Sequence, residues 1–136
     1  MSRRSLVLVA CGGAVGAVAR YRLQDAFPVG QGAFPWTTFW INVSGAFALG
    51  FLLEWAVRKR PDDTWERFLV GIGMLGAYTT FSTLAVEVVQ LLRVDHAGTA
   101  VAYLGASLVV GPASVIAGLL AAGWRPRELP PEEGES

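Results

Sequence analysis

The chain has 136 residues, of which 53% are hydrophobic and only 16% are charged. This composition is too apolar for a water-soluble domain of that length, and it indicates exposure to lipid. Lys plus Arg and Asp plus Glu are equal at 11 each, so the charge balance offers no basic field for nucleic acid. The single Cys11 and the single His96 are too few for an intrachain disulfide or a zinc site.

The amino terminus shares two features with an export signal, namely the pair Arg3-Arg4 and a short apolar run that reaches Cys11. An export signal needs an apolar region of about 7 to 15 residues before its cleavage site. Only residues 6–10 precede Cys11, and the apolar sequence continues to Ala19. We therefore expect this segment to be a retained first helix.

Four apolar stretches follow one another along the chain, at about 5–26, 36–57, 66–92 and 97–124. Each stretch supplies the roughly 20 residues that a helix needs to cross a bilayer. We therefore predict an all-α membrane domain of four transmembrane helices over residues 1–124. The tail over residues 125–136 is rich in Pro and Glu, and we expect it to be disordered.

The third stretch is the least regular of the four. Its start is predicted at Asp63, because Glu66 follows three residues later as in a capping box. Residues 71–83 then combine three glycines with four Ser and Thr residues, which weaken a helix. We expect the helix to break there, at the middle of the membrane. Carbonyl groups freed by a break need partners, and a bound cation would provide one.

Polar side chains form two stripes within otherwise apolar spans, where unpartnered polar groups are costly. On the second helix, Thr38 and Asn42 share a face with Gly45. The stripe on the fourth helix comprises Tyr103, Ser107, Gly111 and Ser114. Two interpretations stay open, since such residues either line a path for a solute or bond to neighbouring helices.

Charged residues inside the spans are few. Arg20 lies deep in the first helix, where its side chain either snorkels to the interface or places a positive charge at the mouth of an aqueous vestibule. Glu54 and Glu87 lie toward helix ends, and we expect both to face lipid headgroups. Small residues four apart, such as Gly12 and Gly16, predict close contact between helices.

Taken in order, these segments closely resemble the small bacterial fluoride channels of the Fluc or CrcB type. The resemblance extends from residue 6 to about residue 122. Its parts are residues 12–21 (GGAVGAVARY), Asn42 with Gly45 and Gly50, residues 76–83 (GAYTTFST), and Tyr103 with Ser107.

The resemblance implies an antiparallel dimer in the plasma (inner) membrane of a bacterium, with the broken third helices crossing at its centre. It implies a sodium ion there, held by backbone carbonyls at Gly76 and Thr79. It further implies two pores that export cytoplasmic fluoride passively and so reduce its toxicity. By this resemblance the pore residues are Asn42, Phe81, Ser82, Thr83, Tyr103 and Ser107, with Thr38 alongside and Arg20 near a vestibule. The sequence departs from the family at Leu84, where a second Phe is common.

Two other functions were weighed. A small multidrug transporter needs a titratable carboxylate in its first helix, and none precedes Asp25. A tetraspan scaffold protein would use the glycines for packing alone. No set of residues suggests catalysis, so an enzyme is not expected.

The positive-inside rule predicts one orientation, with both termini in the cytoplasm. In that orientation eight Lys and Arg residues are cytoplasmic: Arg3, Arg4, Arg58, Lys59, Arg60, Arg67, Arg125 and Arg127. Three lie on the other side: Arg20, Arg22 and Arg93. With a fixed orientation, the partner in an antiparallel dimer is an oppositely inserted paralogue. A second copy of this chain could be the partner only if the chain had dual topology.

Overall fold

A computed structural model describes residues 3–59 and 67–125 of the chain. The predicted cap at Asp63 and almost all of the acidic tail lie outside the described residues. Within them, every regular element is helical. The elements are α1 (Arg3–Ala26), α2 (Trp36–Lys59), a π-helix (Arg67–Leu75), α3 (Gly76–Tyr78), α4 (Phe81–Arg93) and α5 (Ala97–Ala121).

The described residues contain four stretches that are long and apolar enough to cross a membrane. These stretches are Arg3–Ala26, Trp36–Arg58, Leu69–Arg93 and Ala97–Ala121. Their outer faces expose large apolar side chains, with Val101 at 71% and Val109 at 70% exposure. Such faces are unfavourable in water and suited to lipid tails. The prediction of an all-α, four-span membrane protein is therefore confirmed.

α1 packs against the first part of the third span with almost no room between the backbones. A Cβ atom on Gly12 would overlap the Leu69 carbonyl oxygen, and one on Gly16 would overlap the Met74 carbonyl oxygen. From Gly12 to Gly16 along α1, the contacted residue changes from Leu69 to Met74. α1 and this part of the third span therefore run parallel. The predicted role of Gly12 and Gly16 in helix contact is thus confirmed.

α2 packs most extensively against α5, again through glycine. A Cβ atom on Gly50 would meet the Val115 carbonyl oxygen, and one on Gly118 would meet the Phe47 carbonyl oxygen. At the C-terminal ends of these helices, Arg58 donates to Glu54 Oε1 at 2.5 Å and to the Gly123 carbonyl. Close packing in the middle and a cation at the two helix ends together hold α2 parallel to α5.

The third span contains two residues with extended backbone near the middle of its 25 residues. α3 ends at Tyr78, Thr79 has ψ 154°, and Thr80 has φ −149° and ψ 119°. α4 then begins at Phe81, with the Thr80 side chain accepting a hydrogen bond from the Thr83 amide at 3.1 Å. We call Thr79 and Thr80 the interruption. The π-helix that precedes α3 was not predicted, because the glycine pattern does not distinguish π from α geometry.

Replacing Gly16 with alanine is expected to destabilise the protein by about 1 to 3 kcal/mol, because backbone atoms of Met74 cannot move aside as a flexible side chain can. Gly98→Ala is the matched control, since a Cβ atom at Gly98 would have no neighbour within 4 Å. Thermal unfolding of both variants in detergent, followed by tryptophan fluorescence, measures the difference. A Gly16→Ala protein as stable as Gly98→Ala would contradict this account of the packing.

Candidate functional site

The side chain of Asn42 on α2 pairs with the backbone of Thr80 in the interruption. Its Nδ2 donates to the Thr80 carbonyl at 2.9 Å, and its Oδ1 accepts from the Thr80 amide at 2.7 Å. A peptide group outside helical geometry needs such partners, because a bilayer core offers no water to replace them. Asn42 therefore satisfies both backbone polar groups of Thr80 and fastens the interruption to α2.

Gly45 lies one helical turn further along α2, facing the same segment. A Cβ atom there would overlap the Thr79 methyl group and press on the Tyr78 ring. The absence of a side chain at Gly45 lets α2 approach closely enough for Asn42 to reach Thr80.

Arg20 reaches the interruption from α1. Its Nη1 lies 3.5 Å from the Thr79 carbonyl oxygen, and its side chain is half-buried. The sequence had suggested a position near a vestibule for Arg20. In the structure, this side chain contacts the backbone in the middle of the third span.

A cleft of about 310 Å³ lies beside the interruption, between α2 and α5. It is lined by Asn42, Val43, Ala46, Leu49, Thr79, Thr80, Phe81, Leu84, Ser107, Leu108, Gly111 and Val115. Ser107 Oγ is buried, and it has no hydrogen-bond partner among the described residues. A buried hydroxyl without a partner is unfavourable by about 1 to 3 kcal/mol. Ser107 therefore presents an unused donor next to the cleft.

The first turn of α4 presents different residues to the outside and to the core. Phe81 is 74% exposed, and Ser82 beside it is exposed as well. Thr83 Oγ1 accepts from Thr80 Oγ1 at 3.0 Å, which keeps it in the cap of the helix. Leu84 is only 6% exposed and packs in the apolar core. The position where the family commonly has a second Phe is thus an interior position here.

Glu87 lies inside the helix bundle, so the expectation that it faces lipid headgroups was wrong. Its Oε1 accepts from Thr38 Oγ1 and its Oε2 from Tyr103 OH, both at 2.7 Å. Thr38 Oγ1 in turn accepts from Gln24 Nε2 at 3.4 Å. Glu87 lies toward the end of its helix, which suggested a position at the membrane surface. Its hydrogen-bond partners on α2 and α5 instead hold the side chain inside the bundle. The available signal was that Thr83 and Glu87, four apart, share a face of α4.

Three pairs of polar residues, each four apart on its own helix, extend in the same direction from the interruption. We call the six residues the polar file: Thr38 and Asn42 on α2, Thr83 and Glu87 on α4, and Tyr103 and Ser107 on α5. Residues four apart in a helix lie on one face, so each helix presents its pair to the others. Hydrogen bonds join Thr38 and Tyr103 to Glu87, and Asn42 and Thr83 to Thr80.

A second, larger cleft of about 510 Å³ lies between the loop after α1 and the end of α4. On α4 the cleft is lined by Glu87, Gln90 and Arg93, among others. Of these three, Glu87 lies farthest from the C-terminal end of the helix. The loop contributes Gln31 among others, while Arg20 does not line this cleft. The positive charge in the lining of this cleft comes from Arg93, and the cleft reaches the Glu87 carboxylate at one end of the polar file.

The two positions that the sequence analysis connected with sodium differ in their surroundings. Gly76 is exposed, and apart from its own helical segment no described atom lies within 4 Å of where its Cβ would be. The Thr79 carbonyl faces Arg20. Within residues 3–59 and 67–125, no three His, Cys, Asp or Glu side chains come together as metal ligands. A cation in this region would depend on backbone carbonyl oxygens, of which each has two lone pairs.

Comparison with known proteins gives a consistent result. A family model described as CrcB-like protein, Camphor Resistance (CrcB), matches residues 7–119. The chain is 42% identical over 103 residues to the fluoride-specific ion channel FluC 2 of Streptomyces avermitilis, which covers 76% of this chain and 65% of that protein. It is 40% identical over 120 residues to FluC of Caulobacter vibrioides, covering 86% of this chain and 94% of that protein.

A third relative, the fluoride-specific ion channel FluC of Rhizobium meliloti, is 39% identical over 119 residues, covering 84% of this chain and 92% of that protein. The family match reaches into all four membrane spans and includes the interruption and the polar file. The resemblance seen in the sequence is thereby confirmed, and the chain belongs to the CrcB-like family.

Proposed function

We propose that this chain is a fluoride-selective ion channel, not an enzyme, and that it lets cytoplasmic fluoride leave the cell passively. The observation that carries the proposal is the polar file, which includes the buried hydroxyl of Ser107, a group with no hydrogen-bond partner among the described residues. Relatives that cover most of this chain are fluoride-specific ion channels by name. Reduced fluoride toxicity is the benefit to the cell.

Fluoride is small and holds its hydration shell tightly, so a selective pore must replace that water with several hydrogen-bond donors. The residues proposed for this path are Thr38, Asn42, Phe81, Ser82, Thr83, Tyr103 and Ser107. Six of the seven carry a neutral hydroxyl or amide. The positive edge of the Phe81 ring provides a further contact for an anion. Neutral donors bind the ion strongly enough to dehydrate it and weakly enough to release it.

Glu87 places a constraint on that path. Its carboxylate accepts hydrogen bonds from Thr38 and Tyr103, two of the donors proposed for fluoride. An anion at this position therefore competes with Glu87 for the same protons. Arg93, on the lining of the larger cleft, has the charge needed to raise the local anion concentration at the entrance.

The working unit in this proposal is an antiparallel dimer in a bacterial plasma membrane, surrounded by lipid. Gly76, Phe81 and Ser82 are exposed around the interruption, so this face is accessible to a second subunit. In such a dimer the two third spans cross at the middle of the membrane. The partner is a second copy of this chain or an oppositely inserted paralogue, and the excess of Lys and Arg on one side favours a fixed orientation for each subunit.

A structural sodium ion fits the same face. The Thr79 carbonyl oxygen has a second lone pair besides the one that faces Arg20, so it can accept a cation together with carbonyl oxygens of the partner. The ion would supply positive charge where carbonyl groups of two subunits converge. Within this chain, Gly76 and Thr79 are the residues proposed to hold it.

Liposomes that contain this protein, alone or together with an oppositely inserted paralogue, test the proposed function. With potassium permeability provided by valinomycin, we expect the sample that forms antiparallel dimers to release fluoride rapidly, read by a fluoride electrode, with no comparable release of chloride. Chemical crosslinking in the same liposomes reports whether dimers are present. A crosslinked, folded dimer that releases no fluoride would contradict the channel and favour the scaffold alternative.

Replacing Ser107 with alanine is expected to lower fluoride flux about tenfold, as removal of one useful hydrogen-bond donor would. Stability is expected to be preserved or raised, because the substitution removes a buried hydroxyl that has no hydrogen bond to lose among the described residues. Ser114→Ala is the matched control on the same helix, since Ser114 Oγ donates only to the Val110 carbonyl one turn earlier. Flux at the wild-type level in a folded Ser107→Ala protein would remove Ser107 from the path.

A further inference from the structure

We propose that Arg20 is a positioning residue, whose guanidinium holds the Thr79 carbonyl and so fixes the peptide group at the centre of the interruption. The effect of Arg20 on fluoride flux rests on the proposed function, whereas its effect on the backbone does not. The geometry that supports this is the contact between Arg20 Nη1 and the Thr79 carbonyl oxygen at 3.5 Å.

Among the described residues, the Thr79 carbonyl is the main partner of the Arg20 side chain. Arg20 lies within the first membrane span, and its side chain is half-buried. A charged side chain in such a place is costly unless a polar group faces it. Among the described residues, no carboxylate forms an ion pair with Arg20, while Arg58 pairs with Glu54 at 2.5 Å.

The Thr79 carbonyl is also a favourable position for a cation because of where it lies. It follows the C-terminal end of the helical segment that runs from the π-helix through α3. Carbonyl groups at that end of a helix carry a partial negative charge, and a basic side chain there is stabilising. The 3.5 Å distance suits an interaction of charge with dipole as well as a long hydrogen bond.

The backbone groups of the interruption can be counted completely. The Thr79 amide donates to the Leu75 carbonyl at 3.0 Å. Asn42 accounts for the amide and the carbonyl of Thr80. The remaining group is the Thr79 carbonyl, and Arg20 is its partner. Without Arg20, this would be the one backbone polar group of the interruption that lacks a partner among the described residues, and only the proposed sodium ion would remain to face it.

Arg20 and Asn42 act on the same peptide unit. The Thr79 carbonyl and the Thr80 amide belong to one planar group, so the guanidinium lies at one edge and the Asn42 oxygen at the other. Rotation of that plane would break both contacts. Because Phe81 follows directly, the orientation of this peptide also determines where the first turn of α4 points.

Hydrogen–deuterium exchange of the purified protein in lipid nanodiscs tests this inference without any fluoride measurement. Peptides covering residues 79–83 are expected to exchange about tenfold faster in Arg20→Gln than in wild type, as loss of a charge-assisted contact predicts. Arg20→Lys, which keeps the charge, is expected to lie between them. Arg22→Gln is the matched control, because Arg22 is exposed and makes no described hydrogen bond.

Fluoride flux through the same variants provides the second readout. We expect a large loss in Arg20→Gln, substantial recovery in Arg20→Lys and no change in Arg22→Gln. Recovery with lysine separates the role of the charge from a role in packing. If Arg20→Gln does not fold, the lysine variant decides, and a lysine variant that is also unfolded or inactive overturns the proposal.

Exchange at the wild-type rate in folded Arg20→Gln would overturn the inference, as would an equal acceleration in Arg22→Gln. The two proposals fail differently. A wild-type protein that conducts no fluoride refutes the channel function, and the exchange data still decide whether Arg20 holds the peptide.

Discussion

A peptide group that leaves helical geometry inside a bilayer must find its hydrogen-bond partners within the protein, and this constraint organises the third span. The group in question joins Thr79 and Thr80. Asn42 on α2 and Arg20 on α1 reach it from opposite sides. The two extended residues are therefore held by side chains from two other helices, and the surrounding packing has to bring those helices close.

The glycine contacts meet that requirement. Gly12 and Gly16 bring α1 against the π-helix, and Gly45 removes the side chain that would keep α2 away from Thr79. Where the helices meet, polar residues on three of them form the polar file, with Glu87 at one end and Ser107 near the other. The glycine contacts that bring the helices close together thus also bring their polar side chains together.

The sequence was sufficient to predict what hydropathy and local composition control. The four spans lie within a few residues of their predicted positions, because the length of an apolar stretch is set by the thickness of the bilayer. Polar stripes on α2 and α5 were likewise visible from a spacing of four residues. The irregularity of residues 71–83 was predicted from their glycine and hydroxyl content alone.

The sequence could predict which residues lie at helix contacts but not which residue each of them meets, because periodicity identifies a face of one helix and not the residue opposite. Glu87 was expected at the headgroups, yet Thr38 and Tyr103 bind it inside the bundle. Asn42 was predicted to line a pore, which stays a prediction, whereas the hydrogen bond from its amide to the Thr80 backbone was not predicted. The contact of Arg20 with Thr79 depends on the close approach of α1 to the third span, which no local pattern specifies.

The central claim is that the ion path runs beside the interruption that Asn42 holds. Fluoride efflux through Asn42→Leu, reconstituted in liposomes and checked for assembly by crosslinking, tests it most directly. The account predicts that efflux falls to the background level while the protein remains folded and assembled, because leucine can neither bond to Thr80 nor donate to an anion. Efflux at the wild-type rate through a correctly assembled Asn42→Leu protein would contradict it.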